Sequence, residues 1–241
     1  MEIIRANNYD ELSAKACELV LQQVQTARNS VVGLATGSTP EGLYQKLIEA
    51  YQNGQVSFKD LTTFNLDEYA GLRGDDPNSY RYYMNDKLFN HIDLPQNQAF
   101  LPNGNAADLA KECRDYDKQI RDAGYIDLQI LGLGLNGHIG FNEPGTPFDS
   151  RTHVVELDDT TREANARFFP SKDDVPHQAL TMGIGTIMES SQIVLLASGE
   201  KKADAVSKLV HGELTEAIPS SILQKHQHVT IIGDEEALSR I

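Results

Sequence analysis

The 241-residue sequence predicts an α/β protein with an open, mainly parallel, Rossmann-like sheet that has helices on both faces. Short apolar runs alternate with longer segments of helical periodicity along the whole chain, which is the pattern of strands joined by helical crossovers. Several of these runs end in small or polar residues just before a helical segment begins. No low-complexity linker or internal repeat divides the sequence, so we expect residues 1–241 to form one domain.

Composition narrows the function classes. The formal net charge of −14 argues against nucleic acid or an anionic membrane surface as the main partner. No apolar stretch approaches the ~20 residues that span a bilayer, and the N-terminal residues lack the regions of a signal peptide, so we expect a cytoplasmic protein. The two cysteines, Cys17 and Cys113, lie far apart and lack the neighbours of a zinc or redox motif.

The first helix is predicted to begin at Asn8, the start of a capping-box pattern. A strand over residues 30–35 follows, and then a Thr-Gly-Ser-Thr turn at positions 36–39. The next helix should have Thr39 as its N-cap and Pro40 as its first residue. Unpaired N–H groups and the helix dipole would make this turn an anion site, although a well-capped helix without a ligand is the alternative.

The second strand, residues 61–66, leads directly into Asp67 and Glu68. In a parallel sheet these acids lie at the same edge as the first turn. Taken alone, Asp67 is more often a helix cap or a solvated loop acid.

The central strand is predicted over residues 126–134, and the stretch that follows Leu131 contains four glycines, His138 and Glu143. Glycine allows a backbone to pass close to a ligand or to adopt positive φ. An imidazole beside a carboxylate is a standard acid/base pair, and ligands bind at this end of open parallel sheets. The alternative is a glycine-rich turn with a surface histidine.

After a short strand near residues 152–157, residues 159–169 have the pattern of a capped helix with Arg167 near its end. This arginine suits either an anion or the helix C-terminus. Residues 179–187 read as an apolar turn. A strand over residues 193–197 then leads into small residues followed by lysines, and the last strand is residues 228–233. The strand ends together predict an anion site with acid/base groups at one edge of the sheet.

Five motifs in order make the chain similar to the glucosamine-6-phosphate deaminase (isomerase) family, which belongs with 6-phosphogluconolactonase. They are Leu-Ala-Thr-Gly-Ser-Thr-Pro (34–40), Thr-Phe-Asn-Leu-Asp-Glu-Tyr (63–69), Gly-Leu-Gly-Leu-Asn-Gly-His-Ile-Gly-Phe-Asn-Glu-Pro (132–144), Ser-Arg-Thr (150–152) and Gly-Glu-Lys-Lys-Ala (199–203). The resemblance implies conversion of glucosamine 6-phosphate and water to fructose 6-phosphate and ammonia, without a metal or organic cofactor.

The resemblance also implies residue roles. His138, oriented by Glu143, would shuttle the proton that opens the sugar ring, and Asp67 would move a proton from C2 to C1. The matched phosphate contacts are Gly37, Ser38, Thr39, Arg167 and Lys202. Residues of about 153–182 resemble the family's lid, which brings Arg167 to the phosphate.

Two departures from the family pattern modify these expectations. Asn136 stands where some members have Asp, so we expect Glu143 alone to tune His138 and Asn136→Asp to keep most activity. His153 and Val155 stand where allosteric hexamers have basic side chains, and the sequence ends soon after its last strand. We therefore expect a non-allosteric enzyme, monomer or homo-oligomer, with a monomer slightly favoured. A 6-phosphogluconolactonase and a non-catalytic sugar-phosphate sensor are the alternative functions.

Overall fold

The structure is a computed structural model that describes residues 1–27, 29–157, 162–163, 166, 169, 171 and 174–241. The strands are β1 Glu2–Ala6, β2 Val31–Leu34, β3 Thr62–Asn65, β4 Asp67–Tyr69, β5 Ala99–Phe100, β6 Leu128–Gly132, β7 His153–Glu156, β8 Gln178–Thr181, β9 Gln192–Ala197 and β10 Val229–Asp234. The α-helices are α1 Tyr9–Thr26, α2 Glu41–Gln52, α3 Tyr80–Lys87, α4 Leu109–Asp122, α5 Ile184–Met188 and α6 Ala203–His211.

Seven strands form one sheet in the order β1-β10-β9-β6-β2-β3-β5. Every pairing in this sheet is parallel. Because parallel strands need crossover connections, helices cover both faces. The predicted α/β class is therefore confirmed.

Two hydrophobic cores lie on opposite faces of this sheet. One contains Leu12 of α1, Leu43 of α2 and Met84 of α3, packed on the face that carries Val32 and Ile130. The other packs α4 and α6 against the alternate strand residues, and its members include Tyr116, Ile120, Leu131, Leu195, Val206 and Leu209. Successive residues of β6, Ile130 and Leu131, are both fully buried but belong to different cores, as expected for a strand covered on both faces.

A second, antiparallel sheet of β4, β8 and β7 lies beside the carboxyl ends of the main strands. Asp67 of β4 pairs with Thr181 of β8, which pairs with His153 of β7. The prediction of an apolar turn over residues 179–187 was wrong, because Gln178–Thr181 form β8 and Ile184–Met188 form α5. Strand β8 is too short to show an alternating pattern, and its pairing partners are distant in sequence.

The predicted N-cap of α1 is confirmed, since the Asn8 side chain accepts a hydrogen bond from Glu11 N. The predicted cap of α2 was wrong: the helix begins at Glu41, with Pro40 as the cap residue and no side-chain cap bond. The Tyr9 hydroxyl takes the capping role instead. It accepts from Gly42 N at 2.8 Å and lies 3.0 Å from Thr39 O.

Among the helices that the structure describes, none is both long and apolar enough to cross a bilayer. The helix predicted over residues 159–169, including Arg167, lies largely outside the described residues, and so does part of the lid predicted over about 153–182.

Candidate active site

Four neighbouring strands of the main sheet, in the order β9-β6-β2-β3, lead into the candidate site segments. Their carboxyl ends share one edge because the strands are parallel. The chain runs from β2 toward one side of the sheet and from β6 toward the other, so the boundary between them is a topological switch point. Such a crevice is the common ligand site of open α/β sheets.

The loop after β6 holds the imidazole of His138 against its own backbone. His138 O accepts from Gly134 N at 2.9 Å, which closes the turn. A Cβ atom built at Gly134 would lie 2.4 Å from three ring atoms of His138, so only glycine allows the ring to pack there. Gly137 has φ +87°, and its carbonyl oxygen accepts from Ser220 N at 2.9 Å. Gly134 and Gly137 therefore shape this loop.

His138, Glu143 and Asn136 form a connected group in this loop. His138 Nδ1 lies 3.3 Å from Glu143 Oε1, within ion-pair distance but without hydrogen-bond geometry. The second oxygen, Glu143 Oε2, accepts from Asn136 Nδ2 at 2.7 Å, and Asn136 Oδ1 lies 3.2 Å from His138 N. Asn136 thus orients the carboxylate and the loop together.

Asp67 is buried, with 6% of its surface exposed. Its pKa is raised to about 8, mainly by burial and also by the negative charge of Glu68, whereas the Thr36 hydroxyl lowers it. The His138 loop approaches this carboxyl through Gly140, where a Cβ would lie 3.7 Å from Asp67 Oδ2. A carboxyl with a pKa near neutrality can both take and return a proton, which suits general acid/base chemistry.

The Thr36–Thr39 turn is held from outside by two tyrosines. The Tyr83 hydroxyl donates to Gly37 O at 2.7 Å, and the Tyr9 hydroxyl donates to Ser38 O at 2.9 Å. Gly37 has φ +98°, a conformation that favours glycine. With the backbone carbonyls engaged by these tyrosines, the turn is fixed at the N-terminus of α2, where anions bind.

Lys202 reaches the same edge from the loop after β9. Its ammonium donates to Leu133 O, at the carboxyl end of β6, at 2.5 Å. The buried carboxylate of Asp234 supports this loop, since it accepts from the Gly199 amide at 3.0 Å and from the Ser198 hydroxyl. Lys202 therefore lies beside the His138 loop, whereas the predicted Arg167 is outside the described residues.

Two supporting residues were missed by the sequence-based prediction, and a third was noticed without a role. Asp234 at the end of β10 and Thr181 of β8 show no local signal, since their partners are distant in sequence. Thr181 Oγ1 accepts from Phe141 N at 3.0 Å, joining the His138 loop to the sheet of Asp67. Glu68 was noticed in the sequence without a role. The feature that could have indicated one is an acidic residue in a strand that becomes buried.

In the part of the chain that the structure describes, no group of three or more His, Cys, Asp and Glu side chains is arranged to hold a metal ion.

Comparison with known proteins gives a consistent result. A model of the family described as glucosamine-6-phosphate isomerases/6-phosphogluconolactonase matches residues 7–232. The glucosamine-6-phosphate deaminase of Shouchella clausii is 58% identical over 240 residues, 99% of this chain and 97% of that protein. Glucosamine-6-phosphate deaminase 1 of Bacillus subtilis is 53% identical over 239 residues, 99% of each chain.

Solved structures agree with these relatives. A structure of a monomeric glucosamine-6-phosphate deaminase superposes with a TM-score of 0.98 at 53% identity and covers 100% of both chains. A 6-phosphogluconolactonase from Trypanosoma cruzi superposes with a TM-score of 0.79 at 23% identity, covering 100% of this chain and 96% of that one. At that identity the second likeness shows the fold alone.

Proposed function

Because the chain belongs to the glucosamine-6-phosphate isomerase/6-phosphogluconolactonase family, we propose that it is an enzyme that converts glucosamine 6-phosphate and water to fructose 6-phosphate and ammonia. One observation carries the choice of reaction: a buried carboxyl, Asp67, and an imidazole–carboxylate pair, His138 and Glu143, lie at one sheet edge. A buried carboxyl is suited to moving a proton between two carbons, and an imidazole–carboxylate pair is suited to opening a sugar ring.

Ring opening is the first step. His138 takes the proton of the C1 hydroxyl and returns a proton to the ring oxygen, which breaks the C1–O5 bond and gives the open-chain aldehyde. Imidazole holds and releases a proton near neutral pH. Glu143, 3.3 Å from Nδ1, compensates the positive charge that forms on the ring.

Isomerisation follows on the open chain. The Asp67 carboxylate removes the C2 proton while the substrate ammonium gives a proton to O1, which yields an enolamine. Asp67 then delivers its proton to C1, which leaves a protonated imine at C2. Water adds to this imine, and ammonia leaves to give the ketone of fructose 6-phosphate. Because Asp67 is buried, its carboxyl has the raised pKa that such a two-way proton transfer requires.

The phosphate holds the open chain in line. Backbone N–H groups and hydroxyls of Gly37, Ser38 and Thr39 bind it at the N-terminus of α2, and Lys202 supplies a positive charge. Arg167 is proposed as the second charge from its motif alone. The binding energy of this remote phosphate offsets the entropy cost of aligning C1 and C2 with Asp67.

The proposal is tested by measuring ammonia and fructose 6-phosphate formed from glucosamine 6-phosphate. We expect both products in equal amounts from the wild type. Asp67→Asn should lower kcat by about three orders of magnitude or more, because the amide cannot accept the C2 proton, while substrate still binds. Asp60→Asn, at an exposed position, is the matched control and should behave as the wild type.

A 6-phosphogluconolactonase is the second candidate, because such enzymes share this fold. Hydrolysis of a lactone needs no proton transfer between carbons, so it would leave Asp67 without a task. Lactone hydrolysis without ammonia release would favour this candidate. Binding of glucosamine 6-phosphate without either product would favour a non-catalytic sensor.

We further propose that the protein is a non-allosteric monomer located in the cytoplasm, with no nucleic acid or membrane partner. The solved relative described as monomeric supports the first part. The net charge of −14 of this chain is consistent with the proposed lack of a nucleic acid or membrane partner.

A further inference from the structure

Glu68 is an acid with no place in the reaction described above, yet only 3% of its surface is exposed. Its carboxylate accepts three backbone N–H groups. Oε1 accepts from Tyr69 N and Tyr80 N, and Oε2 accepts from Arg81 N, each at 2.9 Å. Burial raises the pKa of Glu68, and the three N–H donors together with Arg81 oppose this rise by stabilising the charged form.

Two of these donors belong to the first turn of α3. Glu68 therefore fastens the N-terminus of this helix to β4, where the helix dipole also favours a negative charge. Further along α3, Tyr83 holds the Gly37 carbonyl, and the Arg81 guanidinium donates to Ala99 O at 2.8 Å. One carboxylate thus connects the strand of Asp67 with the helix that supports the phosphate turn.

Asp67 precedes Glu68 directly and has the opposite environment. Its Oδ1 atom is buried and has no hydrogen-bond partner among the described residues. The charge of Glu68 raises the pKa of Asp67, so the two negative charges oppose each other. The three N–H donors favour the charge on Glu68.

We propose that Glu68 is a positioning residue for the deamination: it ties α3 to the strand of Asp67 and provides a fixed negative charge that makes Asp67 a stronger base. The inference rests on the proposed function of Asp67. It assigns Glu68 no contact with the substrate.

The surroundings of Asp67 fit this arrangement. Its pKa is raised to about 8 by burial and then by Glu68. The phenols that interact with it, Tyr44, Tyr69, Tyr80 and Tyr116, all have raised pKa values because they are buried, so they stay neutral over the working pH range. The loop that carries His138 and Glu143 approaches Asp67 at Gly140, where a Cβ would lie 3.7 Å from Asp67 Oδ2, and Arg81 interacts with Glu68.

The first test is the pH dependence of kcat/KM for Glu68→Gln. Asp67 must be ionised to accept the C2 proton, so activity rises as pH passes its pKa. This rise is the acidic limb of the pH profile. Loss of the Glu68 charge should move the acidic limb to lower pH by about one unit. Above the limb the variant should be slower, because a carboxylate of lower pKa is a weaker base. A purely structural role would lower activity without moving the limb.

Glu11→Gln is the matched control, because Glu11 also accepts a backbone N–H at a helix N-terminus, from Asn7 at 2.8 Å. Its limb should coincide with that of the wild type. The phosphate and amino groups of the substrate titrate in the same range, but they do so equally for all variants. A limb for Glu68→Gln that coincides with both would overturn the inference.

A second measurement needs no substitution at Glu68 and decides the matter if that variant does not fold. Carboxyl ¹³C NMR of the wild type, with Asp67→Asn to identify the Asp67 signal, follows both acids. We expect the Asp67 signal to titrate near pH 8 and the Glu68 signal to titrate at lower pH than that of Asp67. An Asp67 that is already ionised at pH 6 would contradict the inference.

The two proposals fail in different ways. A wild type that releases no ammonia would remove the proposed function. A wild type that releases ammonia, with the acidic limb unmoved in Glu68→Gln, would leave that function in place and remove only the role of Glu68.

Discussion

Asn136 shows how one side chain can replace a charge by a hydrogen-bond donor. Its amide nitrogen holds Glu143 Oε2 at 2.7 Å, and its amide oxygen lies near His138 N. The expectation that Glu143 alone tunes His138 is therefore refined: Glu143 carries the charge, and Asn136 sets its orientation.

Asn136→Asp should keep activity within about tenfold of the wild type at mildly acidic pH and lose it as pH rises. Two carboxyls at this distance share one proton, and the protonated acid donates to Glu143 in place of the amide. Once that proton is lost, the carboxylates at positions 136 and 143 repel each other, and Glu143 is no longer held in its orientation. The measurement is kcat/KM across pH.

Asn136→Leu is the contrasting variant. It removes the donor without adding a charge, so its activity should be low at every pH. A loss of several orders of magnitude in Asn136→Asp, independent of pH, would contradict the shared-proton argument.

Strand β4 combines two tasks at the level of secondary structure. It carries Asp67 and Glu68, and it forms the edge of the small sheet whose other members are β8 and β7. Met182 N donates to Leu66 O at 2.6 Å, and Ala70 N donates to Gln178 O at 2.9 Å, so hydrogen bonds hold β8 to both ends of β4. The outer strands of the proposed lid are thus part of the sheet that positions Asp67.

We propose that the lid predicted over residues of about 153–182 closes over the sugar while the pairing of its strands with β4 is kept. Comparing structures of the free protein and of its complex with a non-reacting open-chain amino-sugar phosphate should show displacement there, because only contacts with the phosphate and sugar favour the closed position. The pairing of Thr181 with Asp67 and His153 should be unchanged. Identical positions of the segment in both structures would remove the lid.

At the scale of the whole molecule, the proposed site lies at one edge of a sheet, and the two described positions compared with those of allosteric relatives, His153 and Val155, have other partners. His153 Nδ1 lies 2.8 Å from Arg151 O, and Val155 packs against the aromatic cluster that includes Tyr69. Arg151, the nearest cation in the sequence, is paired with Glu189 at 2.8 Å. These contacts support a non-allosteric protein.

We expect a solution mass of about 26.7 kDa by sedimentation. We also expect hyperbolic kinetics that do not respond to N-acetylglucosamine 6-phosphate, because cooperativity needs coupled sites. A sigmoidal rate curve that this sugar phosphate makes hyperbolic would contradict the prediction, and a hexamer would contradict the expected mass.

The sequence by itself determined the parallel sheet and the strand ends that carry chemistry, since these depend on local features. Buried strands read as apolar runs, and loops that approach a ligand or a side chain need glycine, as at Gly134. The motif turns at residues 36–39 and 133–144 were placed at the carboxyl edge for the same reason, and the structure confirms their position there.

Only the tertiary structure decided the partners of these segments. The cap of α2 is a tyrosine from α1, the support of the Lys202 loop is Asp234, and the role of Glu68 depends on a helix that begins twelve residues later. Such contacts depend on which segments pack together, and this cannot be predicted from a local sequence pattern. The raised pKa of Asp67 has the same origin, because burial is produced by the whole fold.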